Sequence, residues 1–162
     1  MKYVGKNIPR NDGFDKATGL GQFTMDVSMP HMLYARVLRS PYAHAKVVKI
    51  DTSAAEALPG VVTVCTFENT TNKPFNTSAT MVTTPRPAEP VRDQTIFTDE
   101  PKYIGDEVAA VAAETEAIAA EAIKRIKVEY EVLPAVYDPV EALKPDSPEV
   151  QPLYGNKEHH NV

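Results

Sequence analysis

Between Met32 and Ser40 the residues Leu33, Ala35 and Val37 alternate with Tyr34, Arg36 and Leu38, a period of two that predicts a strand with one wetter face. Ser40-Pro41 ends it. A second strand is expected over 45–50, after which Asp51 or Thr52 caps a short helix over 53–58 that Pro59-Gly60 stops. Residues 61–67 form a third strand. From Val108 to Ala113 the chain is an uninterrupted run of small apolar residues, the pattern of a strand covered on both faces. Thr115 then caps a helix from Glu116 to about Ile126, with Ile118, Ala122, Ile123 and Ile126 on one face and Glu121 one turn before Arg125. Val128, Tyr130 and Val132 alternate with Lys127, Glu129 and Glu131, a strand with one solvated face. Asp138 caps a last short helix over 140–143. The sum is an α+β domain with a mixed β-sheet and two or three helices.

The remaining segments lack such periodicity. Residues 7–21 carry Pro9, Gly13, Gly19 and Gly21 among polar residues and read as an extended arm with turns. Residues 68–101 hold Pro74, Pro85, Pro87 and Pro90, with a short strand expected at 94–97; so long a connection reads as a contact arm for another domain or a mobile segment. Pro145, Pro148 and Pro152 mark a linker. The organisation expected is therefore an arm over 1–22, one domain over 23–144 and a linker over 145–162. Val4, Ile8, Phe14 and Leu20 in the arm, and Leu153 and Tyr154 in the linker, are apolar residues without a core pattern of their own, so they are expected to need a neighbour.

Composition narrows the function classes. With 162 residues, 43% hydrophobic and 24% charged, the chain has the makeup of one folded domain. A net charge of −5 with scattered Lys and Arg excludes a basic footprint for nucleic acid. No stretch is apolar enough to span a membrane, and the start lacks the apolar core of a signal peptide, so the cytoplasm is expected. Cys65 is the single cysteine, so neither an internal disulfide nor a four-ligand zinc or iron–sulfur site can form from cysteines alone.

Candidate chemistry is sparse. His31 and His44 flank strand ends with no partner at metal-ligand spacing, and read as capping or hydrogen-bonded surface histidines. On an extended segment the neighbours His159 and His160 point opposite ways and cannot chelate together. Cys65 lies within an apolar strand, which suits a structural thiol better than a nucleophile. Asp99-Glu100 and Asp106-Glu107 could bind a cation or act as an acid–base pair, yet solvated loop charges explain them better. Gly19-Leu20-Gly21 is followed by no Lys-Ser/Thr and no helix, so it is not a phosphate loop. The residues alone point to an α+β domain without catalytic, cofactor-binding or metal-binding residues of its own.

Three segments carry a family resemblance: Val4-Gly5-Lys6 with Arg10-Asn11-Asp12 and Lys16-Ala17-Thr18-Gly19; MLYARVLRSPYAHAKVVKIDTSAAEALPGV, residues 32–61; and YIGDEVAAVAAETEAIAAEAIKRIKVEYEVLPAVYDPVEAL, residues 103–143. The chain resembles the N-terminal α/β hammerhead domain of the molybdopterin-binding subunit of xanthine dehydrogenases and aldehyde oxidases. Glu107 departs from the pattern, since the family often has Pro there. The resemblance implies a structural domain of an enzyme that hydroxylates an N-heterocycle or an aldehyde with oxygen from water. It implies molybdopterin with molybdenum in later domains of the same subunit, and [2Fe–2S] clusters and FAD on partner subunits, with none of these held by residues 1–162. The start only three residues before Val4-Gly5-Lys6 suggests separate subunits, and the tail suggests a piece of a longer chain. A non-catalytic interaction or assembly module of hammerhead fold is the alternative.

Overall fold

The computed structural model describes residues 4–75 and 94–149. The chain divides into two compact units, Met1–Met32 and Leu33–Val162.

In the first unit the segment expected to be an extended arm instead holds a helix, α1, Gly13–Thr18. Asp12 explains it: its carboxylate takes Arg10 Nε and Lys16 Nζ, each at 2.6 Å, while its carbonyl accepts the Lys16 N–H at 3.1 Å. Gly19, at φ +75°, ends the helix in the left-handed conformation that glycine adopts without steric cost. Six residues are too few to display a helical period, so the sequence pattern is silent there. A single 3₁₀ turn follows at Thr24–Asp26, where Asp26 Oδ2 accepts the Phe23 N–H at 2.9 Å. None of the described residues of this unit is buried, and Val4, Ile8, Phe14 and Leu20 are all exposed. Leu153 and Tyr154 lie outside the described residues.

The second unit runs β1 (Tyr34–Arg39), β2 (Ala45–Asp51), α2 (Ser53–Glu56), β3 (Val61–Thr66), β4 (Glu107–Ala113), α3 (Glu116–Ile123), β5 (Lys127–Val132) and α4 (Pro139–Ala142). The strands form two antiparallel sheets, one in the order β1-β4-β3 and the other pairing β2 with β5. The α+β class is as expected, whereas the sequence pattern predicts a single mixed sheet. The difference lies in the crossovers: β2-α2-β3 and β4-α3-β5 each join strands of different sheets, so neither creates a parallel pair.

The core lies on one face of the three-stranded sheet. Val64, Ala109 and Val111 pack with Ala55 of α2 and with Ala122 and Ile126 on and just beyond α3. The small side chains of β4 let helix and sheet approach closely. Leu38 joins this core, and Arg36 on the same face reaches Glu116 at the start of α3. The face of Arg36 and Leu38 in β1 is therefore the one under α3, while Val37 on the other face is 41% exposed. A period of two fixes which residues share a face, not which face is covered.

Local signals explain the helices. Thr115 Oγ1 accepts the Ile118 N–H at 3.2 Å, the expected cap, and Arg125 pairs with Glu121 at 3.1 Å. Asp51 rather than Thr52 serves α2, accepting the Ser53 N–H at 3.1 Å and the Ser53 hydroxyl at 2.6 Å. Asp138 Oδ1 accepts from Val140 and Glu141 at 2.7 and 3.2 Å. On the second sheet the register sets Lys46 opposite Glu131, Lys49 opposite Glu129 and Asp51 opposite Lys127, three cross-strand charge pairs. The strand expected at 94–97 reduces to one bridge, Phe75 with Gln94, followed by the buried Phe97. Most of the long connection, 76–93, lies outside the described residues.

Candidate functional site

Polar side chains concentrate around the 99–107 segment, which binds to strand ends through its backbone. Ala45 N–H donates to Pro101 O at 3.1 Å and Val47 N–H to Asp99 O at 2.7 Å, so the segment runs along β2 like a short added strand. Ser40 N–H donates to Asp106 O, and Gly105 N–H to Ser40 O, both at 2.8 Å. The buried Ser40 hydroxyl closes the next turn, donating to Tyr42 O and accepting from Tyr42 N–H.

Asp106 and Glu107 of this segment are structural partners rather than merely solvated charges. Asp106 accepts the Lys102 N–H at 2.9 Å and the Glu107 N–H at 3.1 Å, and burial pushes its carboxyl above the usual aspartate range. Glu107 takes Arg39 at 2.5 Å through Oε1, and Tyr103 OH faces its Oε2 at 3.4 Å. Burial, followed by the charges of Asp106 and Glu107, raises the Tyr103 phenol above its usual value. A proline at 107 would supply neither the N–H nor the carboxylate, so the departure from the family pattern is used locally. No sequence signal announces these pairings, which depend on bringing Arg39 beside 105–107.

His44 is the histidine that the fold puts to use. Its Nδ1 lies 2.8 Å from Pro134 O and its Nε2 3.5 Å from Glu100 Oε1, with 19% of the side chain exposed. It ties the β1–β2 turn to the segment after β5, as a hydrogen-bonded histidine was expected to do. Beside it opens a cavity of about 270 Å³ walled by Tyr103, Ile104, Pro134, Val136 and Tyr137. Its lining is mostly apolar, with His44, Lys102, Tyr103, Tyr137 and Glu149 as the polar side chains on it.

The remaining candidates stay apart. His31 is exposed, at φ +60°, in a turn of the first unit. Cys65 is half-buried in β3 opposite Ala110. Gly19-Leu20-Gly21 follows a helix rather than preceding one. His159 and His160 lie outside the described residues. Among the described residues no three His, Cys, Asp or Glu side chains converge as a protein-ligated metal site would require, so the described donors do not fit an iron–sulfur centre. Nor is any helix among them long and apolar enough to cross a membrane.

Comparison with known proteins places this architecture. Residues 18–134 match the model of the aldehyde oxidase and xanthine dehydrogenase a/b hammerhead domain. The chain is 40% identical over 138 residues to a probable xanthine dehydrogenase component of Bacillus subtilis, a match covering 85% of this chain and 17% of that protein. It is 37% identical over 150 residues to a probable hypoxanthine oxidase, XdhD, of Escherichia coli K12, covering 93% of this chain and 15% of the relative. The solved aldehyde oxidoreductase of Desulfovibrio desulfuricans superposes with a TM-score of 0.80 at 33% identity, over 98% of this chain and 17% of that one. The chain belongs to the hammerhead domain family of aldehyde oxidases and xanthine dehydrogenases. It spans about one-sixth of the length of the curated relatives it matches.

Proposed function

We propose that this chain is the structural hammerhead domain of the molybdenum-cofactor subunit of a xanthine dehydrogenase/aldehyde oxidase-type hydroxylase. The observation that carries the reading is the match over residues 18–134 to a domain that makes up only about one-sixth of its relatives. The use of His44, Asp106 and Glu107 in holding the fold together supports it, because these groups are occupied by that work. The organisation proposed is an arm over 1–22, the hammerhead domain over 23–144 and a linker over 145–162 towards the cofactor-binding domains. Catalytic, cofactor-binding and metal-binding residues then belong to those domains, and this chain supplies none.

In the assembled enzyme the molybdenum-pterin centre would oxidise an N-heterocycle or an aldehyde, with the new oxygen taken from water. Electrons would leave through [2Fe–2S] clusters to FAD on partner subunits, in the cytoplasm. The relatives are named for hypoxanthine, xanthine and aldehyde, so one domain type accompanies several substrates, and substrate choice is assigned to the other domains. The test is to produce the cofactor-bearing part of the subunit with and without this chain. Molybdenum-loaded, active enzyme only when the chain is present is expected; equal loading and activity without it would overturn the reading.

A further inference from the structure

The two sheets treat solvent differently. On the β2–β5 sheet the outward residues Lys46, Lys49, Glu129 and Glu131 are charged and exposed, the pattern of an antiparallel sheet with one wet face. On the three-stranded sheet, register sets Val37, Ala110 and Cys65 side by side, and Ala35, Ala112 and Thr63 beside them, on the face away from the core. None of these six is charged. Ala35, Val37 and Thr63 are exposed, and Ala110, Ala112 and Cys65 are half-buried.

The central strand makes the same point. Both faces of β4 are apolar, yet α2 and α3 cover only the face of Ala109 and Val111. Its sequence is that of a strand covered twice; Val108, which alternates with Ala109, is fully buried as well, while Ala110 and Ala112 further along that second side stay partly open in the described fold. Leu33, just before β1, adds exposed apolar surface, 42% open.

We infer that this uncharged face of the β1-β4-β3 sheet is the surface on which the cofactor-bearing remainder of the same subunit docks, through an apolar element laid over Val37, Ala110 and Cys65. The occupant follows from size. The relatives keep this domain within a chain about six times longer, so most of the polypeptide available to cover the face lies outside the matched region. An uncharged face selects an apolar partner, since a charged one would lose hydration without an ion to pair with. The inference rests on the proposed function and specifies its interface.

Cys65, the single cysteine of the chain, stands on this face in the edge strand β3, beside Ala110 of the central strand, and reports on it directly. The experiment mixes the chain with the Bacillus subtilis relative from which the 138 matched residues have been deleted, and follows Cys65 alkylation by peptide mass spectrometry. Alkylation in the isolated monomer, slowed roughly tenfold or more by the partner, is expected. Val37→Lys, at an exposed position, should leave the melting temperature of the isolated chain unchanged and weaken association by roughly tenfold or more. Association of the wild type with unchanged Cys65 alkylation, or with Val37→Lys binding as tightly, overturns the interface while leaving the proposed function standing. Protection of Cys65 already in the isolated monomer means that the chain covers its own face, and protection in a species of twice the mass means a second copy does; either overturns the inference. Absence of wild-type association overturns both readings.

Discussion

A Cβ built on Gly60 would stand 2.6 Å from Ile118 Cδ1, so the turn between α2 and β3 passes directly beneath α3. Gly60 also holds φ +87°, and its carbonyl accepts the Glu114 N–H at 2.9 Å. Gly60→Ala therefore meets backbone strain and a steric clash together, and is expected to destabilise the chain by about 1–3 kcal/mol in urea unfolding. Gly105, at φ +100° with no atom within 4 Å of a built Cβ, separates the two effects. Gly105→Ala should cost less, and equal costs would show that Ile118 moves aside freely.

His44 joins three segments, and the bond to Pro134 is the shorter of its two polar contacts. His44→Ala should destabilise by about 1–2 kcal/mol, through the lost bond and the unpaired Pro134 carbonyl. Glu100→Gln, at a half-exposed partner 3.5 Å away, should change stability by under about 1 kcal/mol. The reverse order would mean that the ion pair rather than the backbone bond fastens the turn.

Two aspartates should act oppositely on acid stability. Hydrogen bonds from Ser53, aided by Lys127 and Lys49, hold the Asp51 carboxyl below its usual range. Its contribution is present above the unfolded aspartate pKa of about 3.9 and is lost as pH falls through the lower folded value. Burial raises Asp106, so its contribution is complete below about pH 3.9 and is lost as pH rises through the raised folded value. Urea titrations from neutral to acid pH should show the wild type losing its advantage over Asp51→Asn and gaining relative to Asp106→Asn. Parallel curves for both variants would contradict the assignments.

Hydrogen exchange should find β4 the slowest strand, because Val108, Ala109, Val111 and Ala113 are fully buried and it is paired on both edges. Faster exchange in β4 than in β1 or β3 would contradict the central position.

Much of the fold is legible in the sequence, for identifiable reasons. The run from Val108 to Ala113 marks the central strand, and Thr115, Asp138 and the Glu121–Arg125 spacing mark helix ends and faces that the structure reproduces. What stays hidden depends on contacts between segments distant in the chain. The covered face of β1 cannot be read from its pattern because Leu38 and Val37 are equally apolar, and only the position of α3 chooses between them. Helix α1 leaves no periodic trace because it is about a turn and a half long and held by Asp12. The partners of Asp106 and Glu107 are equally invisible, because they come from local backbone geometry and from Arg39, 68 residues away.

The central claim is that this domain supports chemistry performed elsewhere, and it is tested most directly by assaying molybdenum, iron and flavin in the purified 162-residue chain. With one cysteine and no converging ligand group among the described residues, the chain should carry none of the three in stoichiometric amount and show no visible flavin or iron–sulfur band. A stoichiometric metal or flavin that survives gel filtration would contradict the account and place a cofactor site on the hammerhead domain itself.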